Sequence, residues 1–564
     1  MDTHRILLLA GICLVSFLLF EKWVAFNNPQ EATPTAQITE QNASANIPST
    51  PSALSSEGNV PSVGAAQPSA TVASPDASES AVSTEQKIRV ETDLFVAHIN
   101  TKGGGIDDLR LKKQLKEADT PDIGFHLLKD IPTEKFVSQS GLIGTEGQYP
   151  NHYTQYSASA SEYIVNEDAV AVPLAWTADN GQQFTKTFHF KKNSYVIDVD
   201  YQLVNQQEKN MGTYLYAQFK RSRPLNAKKG SFLQLPSFLG GVIYTPEDKY
   251  RKVSFSDIED KKLDVKTDSG WVGMLQHYFV GVWMPEKDGD YSFYSNHEKQ
   301  TNPEYTIGYK TLKPLVLAPN QSGKLSTSMF VGPKEQSHLK QIQKDSGVDG
   351  LALTVDYGWL TVIADPLFWV LDKINNVVNN WGWSIILLTI LIKLAFYPLS
   401  AASYRSMANM KKLQPRMTTL KERFADDKAQ LQQAMMKLYK EEKVNPAGGC
   451  LPILIQIPVF IALYYVLLES VELRHAPFAL WWQDLTSPDP YYVLPILMGL
   501  SMLLQQKLNP APMEQMQKNI MMIMPLVLTF LFLTFPQGLV LYWVVNNCLS
   551  ILQQWRINKT IGAD

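Results

Sequence analysis

Apolar and polar positions follow three different patterns along this chain, and each predicts a different kind of structure. From residue 88 to 331 they alternate. Tyr195, Ile197, Val199, Tyr201 and Leu203 take turns with Asp198, Asp200 and Gln202, which is the period of a half-buried strand. Lys192-Asn193-Ser194 parts that run from Phe184, Lys186, Phe188 and Phe190, predicting a hairpin. Gly103-Gly104-Gly105 divides a second pair, 95–100 and 106–111, and the aromatic-rich stretch 271–285 is strand-like. Helical spacing is scarce here, so 87–345 is expected to be a large antiparallel β-sandwich, with 333–344 as a closing helix.

Beyond residue 380 the polar positions drop out of whole stretches. Five spans are predicted at 383–401, 450–468, 491–507, 520–535 and 538–555, forming with their connections a core over 381–556. Several are short, so their ends snorkel or the bilayer thins around them. Ahead of them, over 355–380, Trp359, Leu360, Ile363, Leu367, Phe368, Leu371 and Ile374 keep helical spacing while Asp356, Asp365, Asp372 and Lys373 interrupt it. That pattern suits a helix lying in the membrane interface, with a packing helix of the soluble domain as the alternative. At the N-terminus an apolar run over 6–20 ends in Glu21-Lys22 without a small-x-small cleavage site, so 1–26 reads as an uncleaved signal anchor and brings the spans to six. The third pattern, over 27–86, is Ala-, Ser- and Pro-rich with almost no aromatics. It predicts a disordered linker.

Bulk charge adds little: a net −3 and a pI near 6.3 carry no basic signature for DNA. Local charge adds more. The segment 402–446 holds Arg405, Lys411, Lys412, Arg416, Lys421, Arg423, Lys428, Lys437, Lys440 and Lys443, whereas the loop after the third span has Arg474 against Glu469, Glu472, Asp484 and Asp489. The positive-inside rule puts the basic segment in the cytoplasm, together with the N-terminus and the tail 557–564, and the β domain in the periplasm. Within 402–446, Leu413, Met417, Leu420 and Phe424 form one stripe and Leu431, Met435 and Leu438 another, as in a helical hairpin. Its methionines offer an adaptable apolar surface, and its bases suit anionic lipids, acidic targets or ribosomal RNA. Cys13, Cys450 and Cys548 all sit in apolar runs, so neither a disulfide framework nor zinc spacing is available. The spans hold no histidine, no Gly-x-Ser-Gly and no phosphate-binding glycine loop, so no catalytic, metal or cofactor site is expected.

One residue is costly where it stands. Lys393 lies ten residues past Trp383, about 15 Å along a helix, inside an apolar run. A lysine at mid-span costs on the order of 2.5–3.5 kcal/mol. No Asp or Glu lies deep in another span, so a hydrated cavity is favoured over a buried ion pair. Thr389 shares its helix face, and Gln456, Asn546 and Asn547 are also polar at membrane depth. Each alone suits interhelical hydrogen bonding; together they could line one groove. Tyr542 and Trp543 could face that groove or anchor an interface.

Several ordered motifs make the chain resemble the YidC-type membrane protein insertases. They are Leu394-Ala395-Phe396-Tyr397-Pro398-Leu399 after the mid-span base, Lys443-Val444-Asn445-Pro446-Ala447-Gly448-Gly449-Cys450, Ile455-Gln456-Ile457-Pro458, Ala476-Pro477-Phe478-Ala479-Leu480-Trp481 and Phe535-Pro536-Gln537-Gly538-Leu539-Val540-Leu541-Tyr542. Gly270-Trp271-Val272 and Gln276-His277-Tyr278-Phe279 extend the likeness into the β domain. The resemblance implies a polytopic α-helical membrane protein of six spans with a five-helix insertase core and a large periplasmic antiparallel β-sandwich, akin in fold to sugar-binding enzymes. It implies a substrate groove of Lys393, Thr389, Gln456, Trp543 and Asn546, whose base attracts acidic residues of a translocating tail. It also implies an apolar slide of Leu454, Ile457, Met521 and Met524. Nascent integral membrane proteins would be the substrates; the Sec translocon, membrane lipids, and the ribosome and signal recognition particle machinery would be partners, with no energy cofactor. The family's groove base is usually arginine, where this chain has Lys393. The rival readings are a small-solute transporter or channel, or an assembly factor that binds through its sandwich.

Overall fold

The computed structural model describes residues 86–116, 123–144, 147–224, 238–299, 302–424, 427–442, 451–508 and 515–561. The signal anchor over 1–26 and all but the last residue of the linker over 27–86 lie outside these. The described residues belong to two compact units that meet in sequence between Thr354 and Val355.

In the first unit the alternating pattern becomes two sheets. One has eleven strands, ordered Asp264–Thr267, Tyr291–Glu298, Glu304–Thr311, Met211–Ser222, Glu134–Gly144, Gly124–Ile131, Gly105–Leu115, Phe95–Asn100, Lys87–Glu91 and Glu162–Ile164, with Leu315–Leu317 beside Met211–Ser222. The other has nine, ordered Lys249–Val253, Gly240–Thr245, Trp271–Gln276, Phe279–Pro285, Ser322–Pro333, Val196–Val204, Gln183–Lys191, Ala169–Thr177 and Ser157–Ala158. Pairing is antiparallel except between Lys87–Glu91 and Glu162–Ile164. The expected hairpin forms with Ile197 opposite Phe190 and Leu203 opposite Phe184. Phe219 and Phe136 of the first sheet meet Trp283 and Gly281 of the second. A Cβ on Gly281 would come within 2.9 Å of the Phe219 ring, so the sheets approach as closely as a glycine allows. The expected sandwich is the fold of this unit.

Two helices punctuate it. Helix α1 (Phe255–Asp260) is not predicted from the hydrophobic pattern, although Ser254 and Asp257 form a reciprocal capping box at its start. Helix α2 (Gln336–Ser346) follows the strand Ser322–Pro333 and ends on Gly347 in the left-handed region at φ 64°.

The second unit is helical: α3 (Thr361–Val378), α4 (Trp381–Ala395), α5 (Tyr397–Arg423), α6 (Lys428–Glu441), α7 (Leu451–Glu469), α8 (Val493–Leu508), α9 (Gln515–Phe532) and α10 (Gln537–Ile561). Within the stretch expected as one span over 383–401, α4 and α5 meet at Phe396 with a 68° bend. Pro398 in the first turn of α5 supplies the cause: it has no N–H to continue the ladder of α4. Among the described residues no single helix is long and apolar enough to cross a membrane; the bent pair passes that test together, by length and composition. Helices α5 and α6 pack through Leu413, Met417 and Leu438, with Met410, Leu420 and Met435 around them. The side chain of Asp427 caps α6 by accepting from the backbone N–H groups of Ala429 and Gln430.

The connection between α7 and α8 is pinned to the helix ends beside it. Asp484 accepts from His475 N, Thr486 N and both nearby hydroxyls, and Asp489 accepts from Tyr491 N and Leu494 N. Gly538 N and Gln537 N donate to Leu485 O and Ser487 O, each at 2.9 Å, tying the loop to the start of α10. Asn380 Nδ2 donates to Phe478 O, and a Cβ on Gly382 would lie 2.1 Å from the Phe478 ring. Only glycine lets α4 start so close to that ring.

Candidate functional site

Lys393 sits in the last turn of α4. Its Nζ donates to Ser550 Oγ on α10 at 2.7 Å, and that hydroxyl donates to Asn546 O at 2.7 Å. Among the described residues no carboxylate pairs with Lys393. An ammonium bonded to one neutral oxygen is left with most of its charge uncompensated. It lines a small, partly open recess. Ile392, Phe396, Leu399 and Ser400 line it from the bent pair, and Gln456 and Val459 from α7.

The other polar positions are distributed around this recess unequally. Gln456 Nε2 donates to Asn546 Oδ1, joining α7 to α10. Thr389 is buried and turns its hydroxyl back onto Ile385 O of its own helix at 2.7 Å. Asn547 donates to Ser501 Oγ on α8 at 2.9 Å. Trp543 stacks edge-on against Phe460 at 4.6 Å and lies 5.4 Å from Phe532, within the cluster of Leu494, Met498, Phe532, Val540 and Leu541. Lys393, Gln456 and Asn546 are thus brought together, whereas Thr389 and Trp543 pack beside them. Ser550 was missed by the sequence reading. Its signal was available, since it lies one turn after Asn546 on the same helix face.

The apolar positions face outward. Ile457 on α7 and Met524 on α9 are each 45% exposed, and Met521 is half-buried. Met522, Ile523, Leu526, Val527 and Phe530 continue the open apolar surface of α9. The side chain of Leu454 lies outside the described residues. Among the described residues no group of His, Cys, Asp and Glu converges as a metal site.

A helical unit with an apolar surface, carried with a large β-sandwich, is the architecture on which the comparisons bear. The comparisons make this specific. A family model described as the 60Kd inner membrane protein matches residues 373–564, and one described as the YidC periplasmic domain matches 87–370. The membrane protein insertase YidC of Methylobacillus flagellatus is 45% identical over 564 residues, covering 99% of this chain and 98% of that protein. Its namesake in Stutzerimonas stutzeri is 43% identical, covering 100% and 99%, and that of Alkalilimnicola ehrlichii is 48% identical, covering 86% and 84%. The chain belongs to the YidC family of membrane protein insertases, which is not an enzyme family. It is an inner-membrane protein whose β-sandwich is its periplasmic domain.

Proposed function

We propose that this chain inserts and folds integral membrane proteins in the inner membrane. Lys393 receives polar, above all acidic, residues of a translocating tail in a groove formed with Gln456, Asn546, Thr389 and Trp543. Leu454, Ile457, Met521 and Met524 guide the hydrophobic segment into lipid. Burial of that segment and the membrane potential drive the step without a nucleotide. The carrying observation is the environment of Lys393: a lysine in an apolar run, bonded to a neutral hydroxyl and open to a recess. A carboxylate entering that recess supplies the missing counter-charge.

Six spans with both termini in the cytoplasm accompany this reading, supported by the basic 402–446 segment and the acidic loop that follows α7. The Sec translocon shares substrates with it, and ribosome or signal recognition particle contacts fall on the basic hairpin. The test is Lys393→Glu. Insertion of single-span probes with an acidic translocated tail should fall about tenfold, the factor given by roughly 1.4 kcal/mol, while neutral tails insert at near the parent rate. Equal insertion of both classes by the variant would sink the groove-charge reading.

A further inference from the structure

The partner of Lys393 lies 157 residues further along the chain, where no apolar pattern points to it. We propose that Ser550 is the positioning residue of Lys393, fixing where its ammonium stands in the recess. This rests on the reading of Lys393 as the receiver of acidic tails.

The hydroxyl joins Lys393 of α4 to α10. Ser550 is 3% exposed; its hydroxyl donates to Asn546 O, one turn back on α10, and also meets the Tyr404 hydroxyl of α5. The oxygen is therefore left to accept, and it accepts from Lys393 Nζ at 2.7 Å. A lysine stem has four rotatable carbons and no fixed fork, so its ammonium stays in one place only where an acceptor holds it. The same helix turn receives Gln456 through Asn546 Oδ1, so α10 holds two of the polar side chains that line the recess, Lys393 and Gln456. One N–H of the ammonium is used by Ser550. The remaining two are available to a carboxylate that enters, and the hydroxyl decides which way they face.

The experiment replaces the cellular copy with full-length variants and follows insertion of two single-span probes that differ only by Asp or Ser residues in the translocated tail. Ser550→Ala should slow the Asp-tail probe about tenfold, as expected for one lost hydrogen bond to a charged group, and leave the Ser-tail probe unchanged. Ser550→Thr, which keeps the hydroxyl, should restore the Asp-tail rate. Lys393→Met should slow the same probe, and adding Ser550→Ala to it should slow it no further. Equal slowing of both probes by Ser550→Ala marks a packing role and overturns the proposal. So does an unchanged Asp-tail rate in Ser550→Ala when Lys393→Met has lost it. If Lys393→Met treats both probes as the parent does, the reading of the recess itself falls, and the positioning role with it.

Discussion

Each unit of this protein contains a buried or half-buried lysine without a carboxylate, and the two are held in opposite ways. Lys186, 1% exposed within the sandwich, donates to Gly104 O at 2.5 Å and reaches Ser140 O at 3.4 Å, with the rings of Phe188 and Tyr201 at 5.0 and 5.3 Å. Carbonyl oxygens and aromatic faces surround it, so nothing from outside can reach it. Lys393 has one hydroxyl and an open recess. A sealed cation belongs to the architecture, whereas the cation beside an opening is the one the proposed function uses. The surroundings differ in the same sense: the sandwich hides Trp271, Trp283, Tyr201 and Tyr305, while α9 exposes Ile523, Leu526 and Phe530.

The largest effect should come from testing that contrast between hidden and exposed aromatics. Trp283→Ala, at a position 1% exposed, should cost the β domain about 3–5 kcal/mol, measured by denaturant unfolding of the full chain in detergent. Phe530→Ala, 77% exposed on α9, should stay within about 0.5 kcal/mol in the same assay. Comparable losses would mean that the helical unit is packed as tightly as the sandwich.

A subtler effect concerns the sealed lysine. Burial pushes the Lys186 amine down from its ordinary 10.5 to about 7. Burial, with Lys220 and Lys186 nearby, pushes His152 down from 6.5 to about 4. In both cases the unfolded chain holds a proton that the fold sheds, so stability rises with pH from about 4 to 6.5 through His152 and from about 7 to 10.5 through Lys186. The buried hydroxyls of Tyr156 and Tyr216, raised by burial, oppose this rise only above their ordinary 10. Lys186→Met should flatten the upper window and leave the lower one, as read from unfolding midpoints across both. An upper slope that survives the substitution would assign it to other groups.

The smallest effect probes how close the helices come. A Cβ on Gly499 of α8 would meet Thr529 Oγ1 of α9 at 2.2 Å. Gly499→Ala should therefore cost about 1–3 kcal/mol, and Thr529→Ala in the same chain should return most of it. Additive losses in that double-mutant cycle would show that the two helices do not meet there.

Much of this was legible beforehand. Alternation located the 183–204 hairpin, and even placed Lys186 on the inward row with Phe184, Phe188 and Phe190. Apolar runs located α7 through α10, and the charge of 402–446 marked the α5–α6 hairpin. The short helix α1 escaped because six residues are too few to establish a period, although its capping box was there to be read. The bend at Phe396 escaped because hydropathy is blind to it; the imino acid at 398 was the relevant signal.

By itself, the sequence determined the family, the division into a sandwich and a helical unit, and the cost of placing Lys393 where it stands. These follow from periodicity, composition and local charge, which are properties of neighbours along the chain. Only the tertiary structure decided which polar and aromatic residues of the helical unit meet: that Gln456 reaches Asn546, that Trp543 turns into an aromatic cluster, and that Ser550 receives Lys393. Those pairings depend on helix rotation and tilt, which are set by packing among residues far apart in sequence.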